Sequence, residues 1–327
     1  MIVVSEVMWP AGLDVLTTFA STLYDPSLWR RPEEMLRHLR TASALIVRNQ
    51  TRVDGQLMER APKLKVVGRL GVGLDNIDLD EAQQRDIAVT WAKGANAISV
   101  AEFVIGSILT LARQFHRLDP SVRQGEWNRP NFSGSEIYGK CLGVIGLGDI
   151  GRKVCDRACA LGMRLLAFDP YITQLDPTML ARGVKMSDLD TLLGESDFVS
   201  IHVPLTASTH HAIGARELGL LPKGAYLINT SRGGVIDEVA LYAALKERRI
   251  AGAALDVREQ EPPPDDDPFR SLDNVLMSPH VAGFTEEAQT RTSIMVAEDV
   301  IRVLQGGRPH FPAIGELHET LLPNAAS

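Results

Sequence analysis

The residues most suggestive of chemistry form a glycine-rich turn near the middle of the chain. Gly146, Gly148 and Gly151 have the GxGxxG spacing, follow the apolar run Cys141–Ile145 and open an amphipathic helical pattern. In that context the first glycine permits a tight turn, the second lets the backbone approach a pyrophosphate, and the third allows close packing of helix on strand. The helix N-terminus then offers free N–H groups to the anion. The spacing predicts a dinucleotide site.

An acidic residue at the end of the next apolar run indicates which dinucleotide is bound. Asp169 follows Arg164–Phe168 and lies 18 residues after Gly151, close to the usual spacing of about 20. A carboxylate there hydrogen-bonds the adenosine ribose hydroxyls and repels a 2′-phosphate, and Pro170 and Tyr171 offer no compensating arginine. NAD is therefore predicted rather than NADP.

Three later segments each end a predicted strand with polar residues. Residues 229–238, 256–262 and 278–283 carry a basic, an acidic and an imidazole group respectively. Ligands of open parallel sheets bind outside the carboxyl ends of the strands. The three groups are therefore expected to converge on one crevice.

The elements that position these residues alternate between short apolar runs and helical patterns, which predicts parallel sheets covered by helices on both faces. The predicted strands of the first third are 2–4, 44–47, 65–70 and 87–89, with helices near 32–40, 54–61 and 80–85. Later strands are predicted at 141–145, 164–168, 198–201, 225–229, 251–255 and 275–277, before a final helix at about 285–305.

The alternation is interrupted once. Ser99 and Glu102 form a capping box before an apolar-rich stretch that runs to about Phe115, which predicts one long helix joining two modules. A polar arm, residues 117–140, follows it, and the Pro- and Asp-rich segment 261–268 is predicted to be a loop. A length of 327 residues suits two domains.

Composition narrows the class of protein. The chain is 45% hydrophobic and 23% charged, and its net charge of −7 disfavours nucleic acid or an anionic membrane as a partner. The N-terminus lacks a basic region, so no signal peptide is expected. The chain has three cysteines, Cys141, Cys155 and Cys159, an odd number that forms no CxxC. They fit a reduced, cytoplasmic protein in which they act as core residues.

With these motifs the chain resembles the D-isomer-specific 2-hydroxyacid dehydrogenases, especially the phosphoglycerate and sulfolactate dehydrogenase branch. The resemblance runs from residues 47–48 through 68–78 and 202–206 to the three late segments. It implies a Rossmann-type cofactor domain, residues 99–284, inserted into a flavodoxin-like substrate domain, residues 1–98 and 285–327. It also implies a homodimer formed through the cofactor domain.

The resemblance assigns three catalytic residues. The family's catalytic Arg, Glu and His fall on Arg232, Glu261 and His280. Reducing a 2-oxo acid requires a proton at the carbonyl oxygen as hydride reaches C2, which suits His280. Glu261 is expected to stabilise and orient the imidazolium, and Arg232 to bind the substrate carboxylate with its planar fork.

The resemblance also assigns two sets of binding residues. The cofactor is expected to contact Gly146, Gly148, Asp149, Ile150, Gly151, Asp169, His202, Val203, Pro204, Thr230, Ser231, Arg232, Asp256, His280 and Gly283. The substrate is expected to contact Arg48, the loop Leu70, Gly71, Val72 and Gly73, whose N–H groups form an anion nest, and Asn96.

Asp149 departs from the family, which often has Arg or Lys at that position. A carboxylate beside the pyrophosphate is expected to weaken cofactor binding by about 0.5–1 kcal/mol, unless it points outward. No metal site is expected, because His210 and His211 are adjacent, so that their side chains should diverge, and no HxxxH or CxxC occurs.

The identity of the substrate stays open. Arg48 suits an anionic tail, as in 3-phosphoglycerate or sulfolactate, and Arg48 and Arg69 equally suit a structural role. In the latter case a glyoxylate or hydroxypyruvate reductase is the alternative. A third reading is an NADH-sensing protein like the transcriptional corepressors of this family, against which the acidic charge argues.

Overall fold

The apolar runs of the sequence form strands that are buried on both faces, as parallel sheets require. The structure is a computed structural model that describes residues 1–127, 129–172 and 174–314, without the side chains of residues 130 and 131. Its strands are β1 (Ile2–Val4), β2 (Thr22–Tyr24), β3 (Ala44–Val47), β4 (Val66–Arg69), β5 (Ala88–Trp91), β6 (Cys141–Ile145), β7 (Arg164–Phe168), β8 (Val184–Met186), β9 (Phe198–Ile201), β10 (Tyr226–Asn229), β11 (Gly252–Leu255) and β12 (Val275–Met277).

Helices connect these strands, and many of them begin at an Asp or Thr whose side chain accepts an N–H of the first turn. The helices are α1 (Pro10–Phe19), α2 (Pro32–Leu39), α3 (Gly55–Glu59), α4 (Leu79–Gln84), α5 (Ala97–Arg113), α6 (Phe115–Arg123), α7 (Asp149–Ala160), α8 (Pro177–Ala181), α9 (Leu189–Glu195), α10 (Ala215–Leu220), α11 (Glu238–Lys246) and α12 (Glu286–Leu304). Short 3-10 turns span Leu28–Arg30, Arg129–Phe132, Gly233–Val235 and Pro268–Ser271.

The chain divides into two compact units. Unit 1 consists of Met1–Asn96 and the described residues from Phe284 onward, and unit 2 consists of Ala97–Gly283. Each unit contains one sheet, and every strand pairing in both sheets is parallel among the described residues. The predicted fold class, two doubly wound parallel-sheet domains, is confirmed.

Unit 1 has the strand order β2-β1-β3-β4-β5, which is the flavodoxin-like order. Alternate residues of β1 point to opposite faces: Ile2 and Val4 join one apolar cluster and Val3 joins the other. The cluster of Ile2 and Val4 is covered by α12, which packs on α1 and on β4. Helices therefore cover both faces of this sheet.

Unit 2 has the strand order β12-β11-β10-β9-β6-β7-β8, which is the Rossmann order extended by one strand. The central strand β6 contributes Leu142 and Val144 to one core cluster and Ile145 to the other. The strand order reverses at β6, since β7 lies on one side of it and β9 on the other. A crevice for a ligand is expected at the carboxyl ends of these strands.

The interrupted region differs from its prediction in three ways. The helix α5 begins at Ala97, two residues before the predicted cap Ser99, which is buried within it. It ends at Arg113, because Gln114 takes a left-handed backbone with φ +56°. The arm predicted as polar and irregular contains α6 and a 3-10 turn.

The cysteines Cys141 and Cys155 lie in the core of unit 2, and burial raises the pKa of the Cys155 thiol to about 12. In the described part of the chain no single helix has the length and apolarity to cross a membrane. The helices α5 and α6 satisfy that test only as a pair, with a bend of 60° between them.

Candidate functional site

The glycine-rich turn of unit 2 begins directly after β6. The backbone of Gly146 has φ +94°, in the left-handed region, and its N–H donates to the Phe168 carbonyl at 2.8 Å. A Cβ at Gly146 would lie 2.7 Å from the His202 carbonyl oxygen. Both the backbone conformation and the space therefore require glycine here.

The rest of the turn places the start of α7 against β6 and leaves the first turn of this helix open to a ligand. A Cβ at Gly151 would overlap the carbonyl of Gly146, whereas a Cβ at Gly148 would meet no described atom within 4 Å. Gly148 is the N-cap of α7 and caps it with no side chain. The N–H groups of the first turn therefore face an open cradle, which fits the pyrophosphate of a dinucleotide.

Asp169 stands at the end of β7 and is held in place by the turn. Its Oδ2 accepts the Leu147 N–H at 2.9 Å and its Oδ1 accepts the Tyr171 N–H at 3.0 Å. The fixed carboxylate is an acceptor for ribose hydroxyls and would repel a 2′-phosphate. This environment fits NAD.

Two charged residues flank the turn. Asp149 is the exposed first residue of α7, where its charge stabilises the helix but opposes an incoming diphosphate. Arg152, which the sequence analysis did not single out, donates from Nε to the Leu147 carbonyl at 2.8 Å and pairs with Asp176. Arg152 therefore braces the turn.

Two polar atoms in this region are buried without a hydrogen-bond partner among the described residues. They are His202 Nδ1, after β9, and Thr230 Oγ1, after β10. The other ring nitrogen of His202 lies 2.8 Å from Ser200 Oγ, and desolvation lowers the His202 pKa to about 3, so the ring is neutral. Buried polar atoms without partners are rare, and these two fit a groove that a polar ligand fills.

The acid–base pair of unit 2 joins His280 and Glu261. His280 Nδ1 lies 2.8 Å from Glu261 Oε2, and the two side chains are 49% and 40% exposed. Partial burial raises the pKa of Glu261, but the hydrogen bonds from His280 and from the Arg258 N–H, together with nearby Arg232, outweigh it and lower the pKa below its ordinary value. Glu261 is therefore an ionised partner for an accessible imidazole.

The backbone of His280 is held in a costly conformation by a buried carboxylate. Its φ is +56°, a left-handed value that costs a non-glycine residue about 1 kcal/mol or more. Asp256, 2% exposed, accepts the His280 N–H with its carbonyl at 2.8 Å and the N–H groups of Val281 and Ala282 with its carboxylate at 2.9 and 2.8 Å. Ser278 Oγ donates to the same carboxylate at 2.5 Å. Asp256, predicted to contact the cofactor, here holds the segment that carries His280.

Arg232 follows β10 in a turn organised by Asn229, which the sequence analysis passed over. Asn229 Oδ1 accepts the N–H and the hydroxyl of Ser231 at 3.0 and 2.8 Å, and its Nδ2 donates to the Arg232 carbonyl at 3.0 Å. The Arg232 Nη1 donates to the Ser231 carbonyl at 2.8 Å. An asparagine directly after an apolar strand is a common turn signal, and this signal would have identified the role of Asn229.

The histidines His210 and His211 do not diverge as predicted. Their rings stack with centroids 3.9 Å apart, because His211 has φ +51° and its side chain turns alongside that of His210. His211 Nε2 lies 2.6 Å from Glu259 Oε1. Among the residues that the structure describes, no three or more His, Cys, Asp or Glu side chains are grouped to hold a metal ion.

In unit 1 the predicted substrate residues lie at the carboxyl ends of β3 and β4. The N–H groups of Val72 and Gly73 have no hydrogen-bond partner within the described ranges, as a nest for an anion requires. The N–H groups of Leu70 and Gly71, also predicted to join the nest, instead donate to the Val47 and Arg69 carbonyls at 2.8 and 2.9 Å. Arg69 is 8% exposed and donates to the Leu70 carbonyl at 2.8 Å and to Asn76 Oδ1 at 3.3 Å, which makes it a support for the loop.

Arg48 extends from the end of β3 between polar and aromatic neighbours. Its Nη2 donates to Gln289 Oε1 at 2.7 Å, and its Cζ lies 5.0 Å from the centroid of the Phe284 ring. Burial lowers the Arg48 pKa, and the carboxylate of Glu6 opposes that shift. Asn96, at the end of unit 1, has its Oδ1 buried with no partner among the described residues.

The Glu6 carboxylate organises the segment that begins at Arg48. Four successive N–H groups, those of residues 48–51, donate to its two oxygens at 2.9–3.1 Å. Glu6 is 3% exposed. Nothing local in the sequence links Glu6 to a segment more than 40 residues away, so this role is visible only in the structure.

Comparison with known proteins shows the family. The family model described as the D-isomer specific 2-hydroxyacid dehydrogenase, NAD binding domain, matches residues 105–282. The chain belongs to the D-isomer specific 2-hydroxyacid dehydrogenase family. The resemblance and the NAD-binding domain inferred from sequence are confirmed.

Individual relatives resemble the chain over most of its length. A D-3-phosphoglycerate dehydrogenase of Methanocaldococcus jannaschii is 47% identical over 84% of this chain and 52% of its own length. An (S)-sulfolactate dehydrogenase of Chromohalobacter salexigens is 41% identical over 93% of this chain and 98% of its own. The crystal structure of the TT0316 protein of Thermus thermophilus superposes with a TM-score of 0.84 at 31% identity, covering 96% and 99% of the two chains. The chain thus spans about half the length of its phosphoglycerate dehydrogenase relative.

Proposed function

We propose that the protein is an oxidoreductase that transfers hydride between NAD(H) and C2 of a D-2-hydroxy acid or the corresponding 2-oxo acid. The observation that carries this proposal is the His280–Glu261 pair, 2.8 Å apart and half exposed. It lies in the unit that contains the glycine-rich turn, and it supplies an imidazole whose second nitrogen is available to a substrate oxygen. In this proposal, unit 2 binds the cofactor and unit 1 binds the substrate.

The geometry of unit 2 supports one set of cofactor-binding residues. The N–H groups at the start of α7 hold the pyrophosphate, Asp169 binds the adenosine ribose, and His202 and Thr230 offer their unpartnered polar atoms in the groove. When bound, NAD supplies or accepts the hydride. Asp149 keeps this binding weaker than a basic residue would.

The protein's own residues manage the proton and the substrate anion. In reduction, His280 donates the proton from Nε2 to the substrate oxygen while Nδ1 keeps its bond to Glu261. The ionised Glu261 stabilises the imidazolium and fixes the ring. Arg232 binds the substrate carboxylate with two parallel N–H groups.

We infer an anionic tail on the substrate, of the 3-phosphoglycerate or sulfolactate type. Arg48 supports this inference, because Gln289 and Phe284 hold a partly buried guanidinium at the carboxyl edge of the unit 1 sheet. The sulfolactate dehydrogenase that matches over nearly its full length adds support. A glyoxylate or hydroxypyruvate reductase is the second candidate. The contacts of Arg48 with Gln289 and Phe284 also suit a structural role for this arginine, in which case no anionic tail is needed.

The experiment that tests the function is NADH consumption by the purified protein with 3-phosphohydroxypyruvate, sulfopyruvate, hydroxypyruvate, glyoxylate and pyruvate. A preference for one of the first two would support the anionic tail. Arg48→Gln should then raise KM for that acid about 10-fold or more, by loss of a charge-assisted contact. The control Arg52→Gln, at an 84% exposed side chain, should leave KM unchanged.

Two outcomes contradict parts of the proposal. Preference for glyoxylate or hydroxypyruvate, unaffected by Arg48→Gln, would make the protein a reductase of small oxo acids. Tight NADH binding without turnover on any of the five acids would contradict the enzyme assignment and favour a sensor.

We further propose that the protein is a cytoplasmic homodimer formed through unit 2. Exposed aromatic and aliphatic side chains on and after α6 support an interface there; they are Phe115, Val122, Trp127 and Tyr138, each at least half exposed. The free cysteines support a reducing compartment. Light scattering at micromolar concentration should give twice the 35.7 kDa chain mass, and a monomer would contradict the dimer.

A further inference from the structure

Arg258 is a buried cation that the proposed reaction does not use. Its side chain is 8% exposed and is clamped between the carboxylates of Glu238 and Asp267. Its Nε and Nη2 donate to Glu238 at 2.9 Å each, and its Nη1 and Nη2 donate to Asp267 at 2.7 and 3.0 Å. The Phe269 ring covers one face of the guanidinium, with its centroid 4.4 Å from Cζ.

The two carboxylates belong to elements on either side of the loop that contains Glu261. Glu238 is the first residue of α11, and Asp267 is the N-cap of the 3-10 turn Pro268–Ser271. Burial lowers the Arg258 pKa, but the hydrogen bonds to Asp267 and Glu238 outweigh this, so its pKa is raised above the ordinary value. Arg258 therefore stays charged and ties both ends of this loop to one helix.

The backbone of the same segment contacts Glu261 directly. The Arg258 N–H donates to Glu261 Oε1 at 3.0 Å, and the next N–H, that of Glu259, donates to Glu238 Oε1 at 2.8 Å. A Cβ at Gly233 would overlap the carbonyl of Arg258, so the turn after Arg232 packs against this segment without a gap. Any displacement of Arg258 must therefore move Glu261 relative to both Arg232 and His280.

We propose that Arg258 is a positioning residue: its clamp between Glu238 and Asp267 holds the 258–261 segment so that Glu261 Oε2 meets His280 Nδ1. The proposal rests on the proposed function, in which the Glu261–His280 pair manages the proton. Glu238 and Arg258 each fall in one of the three late segments, but spacing does not show that they pair, because Glu238 lies 20 residues before Arg258 and Asp267 lies nine after it.

The other charged groups near His280 are already engaged, which makes the placement of Glu261 decisive. The Asp256 carboxylate accepts the N–H groups of Val281 and Ala282. Glu259 pairs with His211, and Arg232 acts on Glu261 as a neighbouring positive charge. Among the described residues, Glu261 is the carboxylate bonded to the His280 ring.

The test is Arg258→Lys, which keeps the charge but cannot make the two-sided clamp. We expect kcat for reduction to fall about 10-fold or more at neutral pH, with the NADH dissociation constant from fluorescence titration within about twofold of the wild type. The alkaline limb of the pH–rate profile should move to lower pH, toward the profile of Glu261→Gln. A merely structural role would lower the amount of folded protein without moving this limb.

A double-mutant cycle separates positioning from general damage. In the Glu261→Gln background, Arg258→Lys should cause little further loss of kcat, because the residue through which it acts is already neutralised. Leu193→Ala, a core truncation in α9, is the control for lost stability and should leave the pH profile of the wild type. Losses that multiply, or an unmoved profile in Arg258→Lys, would overturn the proposal. A Glu261→Gln protein with wild-type kcat would instead contradict the proposed function.

Discussion

At the scale of single residues, the site depends on a few charged groups whose surroundings determine their state. Glu261 keeps a lowered pKa although it is partly buried, because His280 and the Arg258 N–H bind its charged form. The neutral His202, in contrast, loses its charge to desolvation, with a pKa of about 3. Two histidines of unit 2 therefore differ in chemistry, because the His202 ring is neutral whereas the His280 ring is half exposed and bonded to a carboxylate.

A substitution at His280 tests this division of roles. His280→Asn should reduce kcat about 100-fold or more, the usual loss for a general acid, because asparagine cannot supply the proton. NADH binding, measured by fluorescence titration, should persist. His211→Asn is the matched control, since His211 is also a partly exposed histidine paired with a carboxylate. An unchanged kcat in His280→Asn would rule out its role.

Glu6 shows how one buried carboxylate can determine the path of a distant segment. Glu6→Gln replaces one acceptor oxygen by an NH2 group that must face N–H donors, so buried donors lose their partners. We expect the free energy of unfolding to fall by about 2–3 kcal/mol in urea denaturation. Glu33→Gln, at an ion pair in which Glu33 is 74% exposed and screened by solvent, is the control and should cost much less. Equal losses in the two variants would contradict the role of Glu6.

At the scale of elements, the glycine-rich turn depends on the close approach of α7 to the end of β6. The contact depends on Gly151, where a Cβ would overlap the Gly146 carbonyl. The flanking turn needs the left-handed backbone of Gly146 as well. The strand–turn–helix unit therefore tolerates no side chain at either position.

Gly151→Ala should push α7 away from the turn. We expect a loss of about 1–3 kcal/mol in unfolding free energy, the usual cost of overpacking, and weaker NADH binding in titration. Gly194→Ala is the matched control, because Gly194 also lies in a helix and its added Cβ meets no described atom within 4 Å. That control should be neutral or stabilising. Unaltered NADH binding in Gly151→Ala would argue against the cradle.

At the scale of the whole molecule, acid should be the condition that destabilises the fold. Several carboxyl groups, among them Glu217, Glu261, Asp267 and Asp273, have pKa values lowered from the ordinary 3.8 of Asp or 4.5 of Glu. A group with a lowered folded pKa contributes stability that is present above its unfolded pKa and is lost as pH falls through the folded one. Stability should therefore be level above about pH 5 and decline below about pH 4.5.

Asp267 is the group in which this dependence should be clearest. Its side chain is 2% exposed and its pKa is lowered first by the hydrogen bond from Arg258. Asp267→Asn should lower the melting temperature at pH 7 and flatten its decline between pH 5 and pH 3. Asp25→Asn, at a surface pair with Arg31 that solvent screens, should change both much less. Parallel pH curves for wild type and Asp267→Asn would refute this account.

Local spacing determined much of what the protein is. Contiguous patterns of strand, turn and helix are enough to locate the glycines of the turn, Asp169 after β7 and the histidine after β12. The alternation of apolar runs with helical patterns likewise predicted both parallel sheets. These features depend on neighbours in sequence, so the sequence alone was sufficient.

Only the tertiary structure decided the features that depend on distant neighbours or lack a local signal. The strands β2 and β8 are short and partly exposed, so no apolar run marks them, and α6 is a polar helix that contains Pro120. The nest around Glu6 joins residues more than 40 positions apart, and the clamp on Arg258 joins three segments. A buried charge can pair only with groups that lie beside it in the folded protein. Which groups those are is decided by the packing of the whole sheet and is not visible in the spacing along the chain.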